Sequence, residues 1–140
     1  MTEEEIAAKI MSAYPKMGKL NKAVDQFSYF DYENDKYLFE FKSRRANYNT
    51  WLIEHTKLDR NKKIADSTNK DFVYVTEVFE TIYVWNISKL IRSNYDFNFE
   101  MIDAPISSEL PGKQNGEMTL KQVGYLNTED SVIIRKDFSR

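Results

Sequence analysis

Residues 36–45 read K-Y-L-F-E-F-K-S-R-R, and they place a carboxylate, Glu40, two positions before an ammonium group, Lys42. Residues two positions apart in a β-strand project from the same face, so both charged groups point to one side of the strand. Alternating aromatic residues cover the other side. An acid and a lysine so placed are typical of an exposed surface strand. The same two groups could also form part of a catalytic site.

The preceding segment, V-D-Q-F-S-Y-F-D-Y, contributes two further carboxylates, Asp25 and Asp31, and predicts the other strand of a β-hairpin. If the loop is D-Y-E-N, Asp25 lies directly opposite Glu40, with Cβ atoms roughly 5 Å apart. If the N-D pair at 34–35 forms a tight turn, Asp31 pairs with Leu38 and becomes the diagonal neighbour of Glu40. Both registers place Asp25 and Asp31 on the Glu40 face, so the hairpin supplies a second carboxylate either way.

Two carboxylates and a lysine on one face suit phosphodiester hydrolysis. The carboxylates can coordinate Mg²⁺ or Mn²⁺, which bridges a phosphate oxygen and acidifies a bound water, while the lysine orients that water or stabilises charge on phosphorus. The chain has no cysteine and one histidine, which excludes disulfides, thiolate catalysis and Cys/His zinc sites. Any metal would therefore be a hard ion bound by oxygen.

The elements that must position these groups follow from the hydrophobic pattern. Acidic residues after Thr2 and an apolar stripe predict a first helix over about 3–14, ended by Pro15. The hairpin comes next, then a short strand T-W-L-I, a second helix over about 54–65, and two strands rich in β-branched and aromatic residues. The order α-β-β-β-α-β with a β-rich tail predicts an α+β, or α/β-like, fold in one domain over 1–140.

V-D-Q-F followed by Y-L-F-E-F-K-S-R resembles the signature of the PD-(D/E)xK nuclease superfamily. The resemblance covers about residues 3–87 and is closest to small stand-alone members from phages and bacteria. It implies a restriction-endonuclease-like core, a mixed central sheet flanked by helices, with residues 88–140 as a C-terminal extension. It also implies a Mg²⁺-dependent or Mn²⁺-dependent nuclease.

The resemblance assigns roles to individual positions. Asp25 and Glu40 match the metal ligands, and Lys42 matches the catalytic lysine. Many members carry a further basic or amide residue on the next helix, and Lys57 occupies that place. An acid on the first helix, Glu4 or Glu5, can complete the metal shell, and Glu5 is the residue we expect there. The residues expected to contact nucleic-acid phosphates are Arg44, Arg45, Lys57 and Arg60.

The charge distribution leaves two classes of function open. Net charge is −2 and the isoelectric point is about 5.5, but residues 42–63 hold seven basic against two acidic side chains. The first expectation is a nuclease acting on DNA, with a homodimer as one alternative for its assembly. The acidic chain and Val24, at the position of the family's proline, favour a second reading: a nuclease-fold module that binds without cutting, as an inhibitor, a subunit or a virion component.

The amino-terminal residues and the hydropathy pattern bear on location. M-T-E-E-E-I is acidic where a secretory signal would be basic, and no apolar run reaches membrane-spanning length. We therefore expect no membrane association and a cytoplasmic protein, in the host-cell cytoplasm if the gene belongs to a phage.

Overall fold

A computed structural model describes residues 1–24, 29–105 and 117–135. The helices are α1 (Glu3–Ala13), α2 (His55–Ser67) and α3 (Ile87–Arg92), with short 3₁₀ turns at Pro15–Met17 and Thr128–Asp130. The strands are β1 (Asn21–Lys22), β2 (Tyr32–Glu33), β3 (Tyr37–Arg44), β4 (Thr50–Glu54), β5 (Asp71–Val78), β6 (Thr81–Asn86), β7 (Glu100–Pro105), β8 (Met118–Asn127) and β9 (Val132–Ile134).

The first helix begins and ends where the sequence predicts. Thr2 forms a capping box with Glu5, in which each side chain accepts a hydrogen bond from the other residue's backbone N–H. Ile6 and Ile10, four residues apart, are buried against the central sheet. Pro15 follows the last helical turn and begins a 3₁₀ turn.

Six strands form the central sheet in the order β1-β2-β3-β5-β6-β9. β3 and β5 are parallel, whereas the other neighbouring strands pair antiparallel, so the sheet is mixed. The chain between the two parallel strands contains β4 and α2. This crossover brings α2 against the sheet face that carries Glu40.

The T-W-L-I segment is a strand, but it does not belong to the central sheet. β4 pairs with β8, and β8 pairs with β7, in a separate three-stranded antiparallel sheet. The expected third core strand is therefore corrected to an edge strand of this second sheet, whose partners come from the C-terminal extension. β9, from the same extension, completes the edge of the central sheet at β6.

Two hydrophobic clusters lie on opposite faces of the central sheet. One packs α1 against alternating residues of β3 and β5, including Phe39, Phe41 and Val75. The other joins the central sheet, α2 and the second sheet, with Trp51 and Leu126 packed beside Trp85. The chain has the predicted α+β class, with helices on a mixed sheet and a second sheet sharing one of its cores.

No helix in the three described ranges is long and apolar enough to cross a membrane.

Candidate active site

Glu40 lies at the centre of β3 on the face that packs against α2 and the second sheet. Only 5% of the residue is exposed. Its Oε1 atom lies 3.8 Å from Lys42 Nζ and 3.9 Å from Lys57 Nζ, which is ion-pair distance but too long for a hydrogen bond. Its Oε2 atom is buried and has no hydrogen-bond partner within the described chain. Glu40 is therefore partly neutralised but unsatisfied as an acceptor.

The electrostatics of Glu40 follow from this incomplete environment. Burial raises the pKa of its carboxyl to about 7, although Lys42 and Lys57 both act to lower it. A carboxyl with this pKa changes protonation near neutral pH, where an unperturbed glutamate is ionised. Such perturbed groups concentrate at functional sites.

Lys42 and Lys57 reach Glu40 from different elements. Lys42 projects from the same strand two residues on, as the sequence predicts, and Lys57 comes from the first turn of α2. Burial lowers the pKa of Lys42, Glu40 opposes this shift, and the neighbouring Lys57 ammonium adds to it. The two ammonium groups on one side of Glu40 could contact an anion such as phosphate.

The hairpin register differs from both registers expected from the sequence. Tyr32 pairs with Phe39, so β2 is displaced by two residues from the tight-turn alternative. Asn34 accounts for the difference, because its side-chain oxygen accepts the N–H groups of Lys36 and Tyr37. The Asn34 backbone N–H also donates to the Tyr37 carbonyl, so the turn lies at residues 35–36 instead of 34–35. A displacement by two residues preserves the faces of the strand, so Asp31 stays on the Glu40 face as predicted.

Asp31 is the hairpin carboxylate that the structure places at the site. Its backbone N–H donates to the Phe39 carbonyl and its Oδ2 atom accepts the N–H of Phe41, at 2.7 Å in both cases. Burial raises its pKa, against the effects of the Phe41 hydrogen bond and the Lys42 charge. Asp31 shares a cavity with Glu40. Asp25, the residue expected as the first metal ligand, lies outside the described residues.

The acidic residues of the first helix have three different positions. Glu5, expected as a metal ligand, is exposed and its carboxylate belongs to the capping box with Thr2. Glu4 forms an exposed ion pair with Lys22. Glu3 instead lines the cavity that contains Asp31, and burial together with the Asp31 charge raises its pKa. The helix does bring an acid to the site, but that acid is Glu3 because the cap fixes Glu5.

The predicted phosphate-contacting residues divide into two groups. Arg44 and Lys57 line the larger cavity at the site. Arg45 is exposed and is not among the residues that line this cavity. Arg60 lies over the ring of Tyr29, 4.6 Å from its centroid, in a cation–π contact. It thus holds the segment that leads to Asp31.

Two cavities meet at the Glu40–Lys42–Lys57 cluster. The smaller, of about 140 Å³, is acidic and contains Glu3 and Asp31. The larger, of about 570 Å³, separates the central sheet from the second sheet. Its remaining walls include residues that sequence reasoning did not select: Glu54, Tyr74, Ile102, Asp103 and Lys121. In the sequence, only their alternation within strands could have indicated a place at the site, because the pairing of β4 with β8 is not visible there.

The arrangement defines the protein as an α+β fold with a buried carboxylate–lysine site at the junction of its two sheets. Among the described residues, no three or more His, Asp or Glu side chains form a group able to hold a metal ion. No family model matches the chain, and no curated protein matches it either.

Proposed function

We propose that this protein is a metal-dependent phosphodiesterase that cleaves nucleic acid, with DNA as the expected substrate. The observation that carries the proposal is Glu40: it is buried, its Oε2 atom lacks a partner in the described chain, and two lysines flank it. A buried carboxylate without its hydrogen bonds is costly to the fold. Such a group persists where it serves binding or chemistry.

The donor set fits a hard divalent cation. Mg²⁺ is commonly bound through one or two carboxylates, with water and substrate phosphate completing its coordination. Glu40 with Asp31, or with Asp25 as the sequence predicts, meets that requirement, and Glu3 adds negative charge to the same cavity. Burial raises the pKa values of Glu3, Asp31 and Glu40, and the Asp31 charge adds to the shifts of Glu3 and Glu40; a bound cation would oppose these shifts. The ion would polarise the phosphate and acidify the attacking water.

The basic residues then have separable roles. Lys42, beside Glu40 and partly buried, would orient the attacking water and stabilise the charge that develops on phosphorus. Lys57 would hold the same phosphate from the helix side. Arg44 would bind a neighbouring phosphate within the larger cavity. Arg45 and Arg60 stay predicted contacts for more distant phosphates, and the homodimer stays a prediction as well.

Replacing Lys42 tests the proposal directly. In a cleavage assay with labelled DNA and Mg²⁺ or Mn²⁺, Lys42→Ala should lose activity by about 10²–10³-fold, the usual cost of removing one charge-stabilising group. Lys63→Ala is the matched control, because Lys63 is exposed and pairs only with Asp59 among the ion pairs of the described chain. Undiminished cleavage by Lys42→Ala would contradict the assigned role.

A second candidate function is binding without cleavage, and one observation favours it. Lys42 and Lys57 already lie at ion-pair distance from Glu40, so their ammonium groups partly neutralise the carboxylate without a metal ion. The net charge of −2 also suits a protein-binding inhibitor or subunit better than an electrostatic DNA binder.

Cation binding separates the two candidates. Mn²⁺ at a hundredfold excess over its dissociation constant stabilises a folded protein by about 2.7 kcal/mol. For a metal-dependent enzyme, Mn²⁺ should raise the melting temperature of the wild type and leave that of Glu40→Gln unchanged. If Mn²⁺ leaves the melting temperature of the wild type unchanged and the wild type does not cleave DNA, the binding module is favoured.

A further inference from the structure

The larger cavity is a cleft between two sheets that are built from distant parts of the chain. One wall belongs to the central sheet and carries Glu40, Lys42 and Arg44; the other belongs to β7 and β8 and carries Ile102 and Lys121. We infer that this cleft admits one unpaired strand, so that the substrate is single-stranded DNA or the single-stranded part of a duplex. The inference rests on the proposed nuclease function and specifies its substrate class.

The depth of the site is the first reason. Glu40 is 5% exposed, and the side chains of Lys42 and Lys57 are 33% and 27% exposed. A phosphate that approaches these groups through the larger cavity therefore enters between the two sheets. In a duplex, each phosphate belongs to a stacked and paired helix, which is a bulky object: its major groove alone is about 12 Å wide. An unpaired strand can extend a single phosphate and its sugar into a recess.

The volume of the cleft is the second reason. At about 570 Å³ it falls within the range of roughly 300–1,000 Å³ that holds drug-sized ligands. A nucleotide unit is a ligand of that class, whereas a base-paired segment adds a second base and a second backbone. The cleft thus has the capacity for a short piece of one strand.

The chemistry of the walls is the third reason. Lys42, Arg44 and Lys57 supply cations for the backbone phosphates, and Leu52 and Ile102 supply apolar surface for a base. Single-strand binding sites combine these two elements, a basic groove and flat or apolar contacts for unstacked bases. Duplex binding by contrast relies on phosphate contacts spread over a wide surface, which a chain of net charge −2 offers poorly.

The two cavities also separate the cation from the strand. Glu3 and Asp31 line only the smaller cavity, whereas the larger one alone has Arg44 and a Lys121–Glu54 ion pair of 3.0 Å, together with Asp103. Glu40, Lys42 and Lys57 belong to both. A cation in the smaller cavity and a strand in the larger one would therefore meet at these three residues, so that the strand need not displace Glu3 and Asp31.

The direct test compares one labelled DNA strand, free and annealed to its complement, by fluorescence anisotropy with the wild-type protein in Ca²⁺. The free strand should bind at least about tenfold more tightly, a difference of about 1.4 kcal/mol. Equal or tighter binding of the duplex would overturn the inference. A cleavage assay in Mg²⁺ separates the two failures: duplex cut as fast as the free strand leaves the nuclease function standing, whereas no binding and no cleavage removes both.

A matched pair of variants on β7 tests whether the strand lies in the cleft. Ile102→Trp fills the cavity and should weaken single-strand binding by about tenfold or more, with the melting temperature showing that the fold survives. Met101→Trp adds the same side chain on the opposite face of the strand, where Met101 is 58% exposed, and should bind normally. Equal losses in both variants, or none in Ile102→Trp, would place the strand elsewhere. If Ile102→Trp does not fold, the wild-type comparison still decides the question.

Discussion

Two glutamates of the central sheet, Glu40 and Glu77, have almost the same exposed fraction but different hydrogen-bond partners. Glu40 is 5% exposed and Glu77 is 4% exposed. They lie on the parallel neighbours β3 and β5, and on opposite faces of the sheet, since Glu77 is paired in register with Ser43 and Glu40 with Tyr74. The two sites therefore share a scaffold and a low exposed area, but Glu40 lies deeper in the protein and the two carboxylates have different partners.

Glu77 has a complete set of partners. Its Oε1 atom accepts from the Met1 ammonium at 3.2 Å and from the Ser43 hydroxyl at 3.0 Å, and its Oε2 atom accepts the Glu80 backbone N–H at 2.9 Å. Burial acts to raise the pKa of Glu77, but these hydrogen bonds outweigh burial and lower it. This carboxylate stabilises the fold as a structural ion.

Glu40 has only two distant ammonium groups on one oxygen and no partner for the other within the described residues. Burial dominates and raises its pKa to about 7. The sheet can satisfy a buried carboxylate, as it does for Glu77, so the incomplete environment of Glu40 is a specific property of that site. This contrast favours a binding or catalytic role for Glu40.

Removing Glu77 should have the largest effect on stability. Glu77→Ala leaves the Met1 ammonium and the Glu80 N–H without their partner, and should lower the free energy of unfolding by about 3–5 kcal/mol at neutral pH. Urea denaturation measures the change. Glu4→Ala, which removes an exposed carboxylate paired with Lys22, should have a far smaller effect. A cost for Glu77→Ala no larger than this control would remove the contrast.

The pH dependence of stability should identify Glu40. Because its folded pKa is raised from 4.5 to about 7, protonated Glu40 contributes stability below about pH 4.5 that is lost as the pH rises through 7. Glu40→Gln lacks this loss, so its stability relative to the metal-free wild type should rise by about 3 kcal/mol from low pH to about pH 8. Parallel stability curves for the two proteins would show that Glu40 titrates normally.

Neutralising Lys57 should increase the perturbation of Glu40. Its ammonium lowers the Glu40 pKa from 3.9 Å away, so Lys57→Met should raise that pKa further above 7. The midpoint of the pH–stability curve would report the shift. Lys62→Met on the same helix, where Lys62 pairs with Asp66, should leave the midpoint in place. The same midpoint in both variants would mean that Lys57 does not influence Glu40.

The smallest effect should come from Ser43, which donates one of the hydrogen bonds to Glu77. Ser43→Ala should cost about 1 kcal/mol, since the Met1 ammonium still contacts the same oxygen. Thermal denaturation can resolve this change against Ser67→Ala, whose hydroxyl bonds an exposed helix carbonyl and should cost less. A large loss in Ser43→Ala would indicate that the hydroxyl, and not the ammonium, satisfies Glu77.

Local patterns predicted the parts of the site that depend on one strand or one helix. Alternation placed Glu40 and Lys42 on one face of β3, and the start of α2 placed Lys57 for a contact with the strands. The patterns failed where the position of a side chain depends on its hydrogen-bond or tertiary partners. Glu5 looked as suitable as its neighbours, but the capping box uses its carboxylate and leaves Glu3 to face Asp31.

The sequence by itself determined the α+β class, the faces of β3 and the absence of thiol chemistry, because these depend on residue type and on the two-residue and 3.6-residue periods. Tertiary structure alone decided the hairpin register, the transfer of β4 to a second sheet and the cleft between the sheets. It also decided which of two buried glutamates is satisfied. These properties depend on contacts between residues far apart in the chain, which no local pattern encodes.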